Sequence, residues 1–354
     1  MRERLWRAVT EGGEHAAVDV VTAAQRTGWD QEELLLDVVA AVQARVGVEW
    51  AAGRITVAQE HAATAINDRV VAALALGPAA RRPEGTPRGR VTVGCVDGEW
   101  HAFPARLVAE VLRLRGWQVD YLGAQTPTPH LVAHLHSTAP DAVLLSCSLP
   151  TRLPAAHAAV TACQAVGVPV LAGGGAFGQD GRFARALGAD GWAPDARGAA
   201  AVLAAGLPRP VPAAIRHTVD DLPHLADQEY TRVLRSRAAL VRQALADLET
   251  RFPAMRGYSA AQRERTAEDV AHIVDFLTTA LYVDDAEVFS AFLTWTADIL
   301  AARGVPIDSL LTALDGLIGQ LRDFPRALRL LDAGTTAVLA HVPADPLPEA
   351  DESP

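Results

Sequence analysis

Apolar residues change their spacing twice along this 354-residue chain. Up to about residue 76 they recur at helical intervals, and Leu34, Leu35, Val38, Val39 and Val42 give one helix a buried face. Gly12-Gly13 and Thr27-Gly28-Trp29 interrupt the pattern, while Asp30-Gln31-Glu32-Glu33 opens a helix with acids in its first turn. Four helices of this size predict a small bundle over residues 1–78. Between 88 and 205 the pattern becomes short runs of Val and Leu: Val91 to Val96, Gln118 to Leu122, Asp141 to Cys147, Pro169 to Ala172, and Gly191 to Ala193. Runs without alternation fit parallel strands covered on both faces. Helical stretches such as Pro104 to Arg115, Arg152 to Ala165 and Gln179 to Leu187 separate them. The predicted fold is therefore α/β plus all-α, with a Rossmann-like (flavodoxin-like) parallel sheet in the middle. From 222 to 342 helical spacing returns, roughly over 225–250, 259–283, 285–303, 306–322 and 325–341. Pro/Gly-rich linkers, Gly77 to Arg90 and Gly206 to His224, divide the three parts. The tail, 343–354, has the Pro- and acid-rich composition of a disordered segment.

Composition changes this picture mainly by exclusion. Half of the residues are hydrophobic but only 5% aromatic, which suits Ala-rich helices better than a β-sandwich. A net charge of -10 offers no broad basic surface, so no nucleic-acid partner is expected. Cys95, Cys147 and Cys163 are too scattered for a disulfide frame and read as small buried residues. The N-terminus has no apolar signal core and no run is long enough to span a bilayer. A cytoplasmic protein without a membrane partner is expected, with a homo-oligomer such as a dimer as its assembly. No catalytic motif is visible, so the chain reads as a binder rather than an enzyme.

The candidate chemistry sits after the first strand. The loop Asp97-Gly98-Glu99-Trp100-His101 carries an acid two positions before a histidine, at the carboxyl edge of the sheet where ligands bind. A histidine there can ligate a metal while a carboxylate fixes its tautomer. Two other loops reach the same edge: Leu144 to Leu149, with Ser146 and Ser148, and Leu171 to Phe177, with Gly173-Gly174-Gly175.

Glu99-x-His101-x-x-Pro104 resembles the Asp-x-His-x-x-Gly loop of cobalamin-binding domains in methionine synthases, corrinoid carriers and light-sensing cobalamin repressors. The resemblance implies that His101 is the lower cobalt ligand and Glu99 its orienting acid. Ser146 then meets the displaced nucleotide tail, Ser148 stands where the family has Leu, and Gly173 and Gly174 let the tail slide along the backbone. Upstream, Trp50 followed by Glu60-His61 resembles the helical cap that covers the 5'-deoxyadenosyl group in cobalamin photoreceptors. The repressors carry a second histidine directly after the Trp. Here that residue is Ala51, with His61 as a substitute.

In the last part His272, Asp275, Thr279 and Tyr282 recur at spacings of three, four and three, followed by Trp295 and Arg303. The whole layout resembles the photocobilins, in which a C-terminal globin-like helical domain binds biliverdin beside adenosylcobalamin. That resemblance implies a light sensor with two chromophores. Cobalamin is held base-off by His101, and biliverdin non-covalently in a pocket between the His272–Asp275–Tyr282 face and the Trp295–Arg303 helix. Two alternatives stand beside it. One is a corrinoid methyl carrier; the other is a haem sensor globin fused to a cobalamin domain, with His272 as the proximal ligand.

Overall fold

A computed structural model describes residues 1–77, 85–210, 223–225 and 227–341. Half of the first expected linker (78–84), most of the second (211–222) and the tail beyond 341 lie outside the described residues. The chain divides into two compact units, residues 1–50 with 55–222 and residues 51–54 with 223–354.

The first unit opens with the expected four helices. α1 (Arg2–Thr10) ends at Gly12-Gly13, and α2 (Glu14–Arg26) ends before Gly28, whose φ of 93° closes the turn. Asp30 then starts α3 by accepting from the backbone N–H groups of Glu32 and Glu33. α3 is one rod in three stretches: α-helical Gln31–Glu33, π-helical Leu34–Val39 and α-helical Ala40–Ala51. The π stretch is absent from the sequence expectation. Thr56 and Gln59 form a capping box at the start of α4 (Val57–Leu76). Leu5, Val21, Leu34, Leu35, Val39, Val46, Val70 and Leu74 make one core, which Phe103 and Leu107 of the following domain join. Gln25 and Gln31 both donate to the Leu74 carbonyl within that core.

The sheet follows with β1 (Arg90–Cys95), α5 (Ala102–Leu114), β2 (Gln118–Gly123), α6 (Thr128–Thr138) and β3 (Ala142–Ser146). It continues with α7 (Leu153–Ala165), β4 (Val170–Gly173), α8 (Arg182–Ala186), β5 (Gly191–Ala193) and α9 (Ala196–Ala205). All pairings are parallel, in the order β2-β1-β3-β4-β5, as the flavodoxin-like expectation requires. The order reverses between β1 and β3, so the loops after these two strands flank the switch point. Two helix bounds differ from expectation. α5 begins at Ala102 rather than Pro104, with proline accommodated in the first turn and His101 at the N-cap position. α8 is shorter than the expected Gln179 to Leu187. Gly178 and Gly181 hold φ values of 82° and 74° in the turn before it, and a Cβ at Gly181 would lie 2.4 Å from the Trp192 ring. The three cysteines are buried; burial pushes the Cys95 and Cys163 thiols up to about 12 and raises Cys147 well above the ordinary value, so none is a thiolate at neutral pH.

Among its described residues the second unit has five α-helices: α10 (Glu229–Arg251), α11 (Ala260–Val283), α12 (Ala286–Ala302), α13 (Asp308–Gln320) and α14 (Pro325–Ala340). α14 crosses α12 closely at Gly334, where a Cβ would come within 2.6 Å of Leu293 and 2.8 Å of Phe289. Glu229 ties α10 to the start of α14 by accepting from the Arg326 and Ala327 N–H groups. Among the described residues no helix is long and apolar enough to cross a membrane.

Leu35 is fully buried between the helices of the first unit. Leu35→Ala is expected to cost about 2–5 kcal/mol by emptying that position, read as a lower urea midpoint for unfolding of the N-terminal helices.

Candidate functional site

Glu99 is the centre of the site. Its side chain is 0% exposed, yet both carboxylate oxygens are satisfied. Oε1 accepts from the His101 backbone N–H at 2.9 Å and from His101 Nδ1 at 2.6 Å. Oε2 accepts from the N–H groups of Ser148 at 2.7 Å and Leu149 at 3.0 Å. One acid therefore joins the loop after β1 to the loop after β3 across the switch point. Burial alone would raise its pKa, but these four bonds, led by that from the His101 side chain, bring it down to about 2.

With Nδ1 engaged, His101 keeps Nε2 for another partner. Its side chain is 55% exposed, next to Trp100 at 72%. The bond to Glu99 raises the imidazole pKa against the opposing effect of burial, and the charges of Glu99 and Glu60 add to the rise. Glu60 on the helical cap and His101 on the sheet domain are thus close enough to feel each other electrostatically. The Thr56 capping box fixes the first turn of α4, where Glu60 accepts from Thr64 at 2.9 Å. His61 is exposed, and its Nδ1 lies 2.9 Å from the Val57 carbonyl and 2.5 Å from the Glu60 carboxylate. Trp50 is half-buried near the end of α3.

Beside this edge lies an apolar cavity of about 380 Å³. Ser146, Gly173 and Gly174 line it. Ser148 contributes its backbone to Glu99 instead. Gly174 has a structural duty as well: its φ is 102°, and a Cβ would lie 2.3 Å from the Cys147 carbonyl oxygen. Sequence reasoning missed the opposite walls, Leu36, Ala40 and Gln43 from α3 and the Pro194-Asp195-Ala196 turn before α9. Asp195 was the readable signal, an N-cap whose side chain accepts from Gly198 N–H at 2.7 Å.

This edge fits a corrinoid on the structure's own terms. It offers a tautomer-fixed imidazole with one nitrogen over, a glycine turn closely packed on backbone, and an apolar cavity of ligand size beside them. Residues 89–201 match the family model described as a B12 binding domain, and residues 1–75 match a second model of the same description. The chain carries a B12-binding region. Its helical cap and sheet domain correspond to the two matched segments. A curated relative, trimethylamine corrinoid protein 1 of Methanosarcina acetivorans, is 24% identical over 146 residues, covering 41% of this chain and 68% of the relative. The monomethylamine corrinoid protein of Methanosarcina barkeri aligns with a TM-score of 0.48 at 18% identity, over 56% of this chain and 94% of that one. A cobalamin-binding protein from Desulfitobacterium hafniense aligns with a TM-score of 0.32 at 20% identity, over 57% and 96%.

The residues singled out in the second unit do not converge as expected. Asp275 forms a two-point ion pair with Arg237 of α10, its Oδ2 2.7 Å from Nη2. Tyr282 is buried against Tyr230 of α10 and stacks on His224, ring centroids 4.1 Å apart. Phe276, about 100° round the helix from Asp275, stacks instead on Phe292 of α12, beside Trp295. The Asp275–Tyr282 face and Trp295 therefore lie on different sides of α11, and the expected pocket between them is corrected. His272, Trp295 and Arg303 remain exposed, Trp295 at 44%.

Because the Glu99 pKa is depressed, its stabilising effect is complete above the ordinary value of 4.5 and is lost as pH falls towards about 2. That difference corresponds to roughly 3 kcal/mol. Glu99→Gln is expected to lower stability at neutral pH by an amount of that order and to flatten the acid limb between pH 4.5 and 2, as followed by urea unfolding at a series of pH values.

Proposed function

We propose that this chain is a light sensor that holds adenosylcobalamin base-off, with His101 Nε2 as the lower cobalt ligand and the nucleotide tail in the cavity lined by Ser146, Gly173 and Gly174. The observation that carries the reading is the Glu99–His101 pair, which fixes one imidazole nitrogen by hydrogen bonding and leaves the other for a metal. Adenosylcobalamin would supply a cobalt–carbon bond that visible light breaks. The protein's part is to orient His101, bury the tail and cover the upper face.

What favours a sensor over a carrier is the cap. Trp50 and Glu60 are the residues that carry the photoreceptor resemblance, and the Glu60 charge helps to raise the His101 pKa. Ala51 in place of the repressors' second histidine has no group that could ligate a metal, so this position would not supply a second histidine. Biliverdin in the second unit belongs to the same proposal, held without a thioether because the three cysteines all lie in the first unit. Trp295, Phe276 and Phe292 offer it aromatic surface, His272 a partner for pyrrole nitrogens and Arg303 one for propionates. The second reading, a corrinoid methyl carrier, has its own support in the similarity to a trimethylamine corrinoid protein.

Electron paramagnetic resonance of the reduced cobalt form tests the ligand: wild type is expected to show coupling to a protein nitrogen, and His101→Ala to lose it. Identical spectra would remove His101 from the cobalt. Illumination separates sensor from carrier. Adenosylcobalamin bound to wild type should show a lasting spectral change under green light, whereas preferential binding of methylcobalamin would favour the carrier. Co-expression with a biliverdin source should give a red-absorbing protein whose pigment leaves the chain on acid denaturation.

A further inference from the structure

α3 is clamped to the sheet domain by a charged network at the rim of the cavity. Glu32 accepts from Arg115 at 2.8 and 2.9 Å, just beyond the end of α5, and from Arg197 Nε at 3.3 Å in the first turn of α9. Arg197 also forms a two-point pair with Asp37, at 3.1 and 2.7 Å. Arg2 donates to the Asp37 carbonyl from α1. Glu32 and Asp37 lie five residues apart, which in an unbroken α-helix would set them about 140° round the axis from each other. The π stretch Leu34–Val39 widens the winding, shown by the Ala40 N–H bonding to the Leu35 carbonyl, and one guanidinium reaches both acids.

The same short segments wall the cavity. Leu36 and Ala40, on either side of Asp37, line it from α3, and Ala196 and Ala199, on either side of Arg197, line it from α9. The clamp and the cavity therefore share two walls. The ionic partners keep low carboxylate pKa values at Glu32 and Asp37, with the Arg hydrogen bonds as the main cause, so the clamp is charged at neutral pH.

We propose that Glu32, Asp37, Arg115 and Arg197 form a latch on the tail cavity, controlling how fast a corrinoid that carries a nucleotide tail is released. They are positioning residues, acting through the α3 wall. The inference rests on the corrinoid reading above and adds a specificity to it: a corrinoid without the tail does not use the cavity and is indifferent to the latch. An exposed pair alone shifts an equilibrium by no more than about five-fold. The planar Arg197 fork joins two pairs, so its removal is expected to act at least at that level.

The test is a chase experiment on the full chain, loaded in the dark with cobalamin or with tail-less cobinamide and then diluted into excess competitor. Arg197→Ala and Asp37→Asn are expected to speed cobalamin release by about five-fold and to leave cobinamide release unchanged. Arg197→Lys, which keeps the charge but loses the fork, should behave more like Arg197→Ala than like wild type. In the ligand-free chain, Arg197→Ala should also accelerate amide hydrogen exchange over Leu34–Val39. Equal acceleration for both corrinoids, or no change in either release or exchange, would overturn the latch. Failure of the wild type to bind any corrinoid would instead overturn the corrinoid reading itself and the latch with it.

Discussion

A carboxylate with no exposure to water and four hydrogen bonds organises the first unit. An isolated charge in that position would be expelled or neutralised, since desolvation opposes it strongly. Glu99 stays ionised because two loops converge on it, and they converge because β1 and β3 are neighbours at the switch point. The dependence runs both ways. The sheet order brings Ser148 and Leu149 to the acid, and the acid then sets the path of both loops and the orientation of His101. The extra methylene of Glu over Asp does not weaken the arrangement, because the longer side chain spans from the helix start to the neighbouring loop.

Much of this was legible in the chain, for identifiable reasons. Parallel strands buried on both faces leave uninterrupted Val and Leu runs, and all five strands were found with their alternation of helices. Glu99 and His101 were legible because two polar residues closing an apolar strand stand out. What Glu99 bonds to beyond His101 was not, since the partners are backbone N–H groups that any residue supplies. The cavity's outer wall was equally silent: Leu36 and Ala40 read as ordinary positions on a helix face. In the second unit the error has a definite cause. A polar stripe at heptad-like spacing gives the face of a helix but not which neighbour that face meets. Arg237 and Tyr230, on a helix some forty residues earlier, claimed Asp275 and Tyr282.

The similarity to a trimethylamine corrinoid protein and the resemblance to cobalamin photoreceptors draw on different residues. The two matched B12-binding segments, 1–75 and 89–201, account for the bundle, the sheet and the His101 loop. None of those features distinguishes a corrinoid that carries a methyl group from one that carries an adenosyl group, because both share the corrin ring and the tail. In the proposed reading the distinction would fall to Trp50 and Glu60. A bulky adenosyl group needs an apolar cover and a hydrogen-bonding partner, whereas a methyl group awaiting transfer needs an opening. Under the proposed reading, the aromatic ring at the end of α3 and the carboxylate held by the first turn of α4 would supply such a cover.

The winding of α3 links the cap to the cavity in a way that the apolar pattern itself contains. Leu34, Val38, Val42 and Val46 recur every four residues and are all buried, as are Leu35 and Val39. In a helix of 3.6 residues per turn each such step overshoots by about 40°, and a strict four-residue spacing would carry its last members out of the core. Wider π turns near the start absorb that drift and keep the stripe facing inward. The same adjustment turns Asp37 to the side of Glu32, where Arg197 binds both. One local departure from α-helical winding thus serves the hydrophobic core on one side of α3 and the ionic clamp on the other. A change that restored regular winding would put the two requirements in conflict, and this gives the π stretch a physical reason to persist.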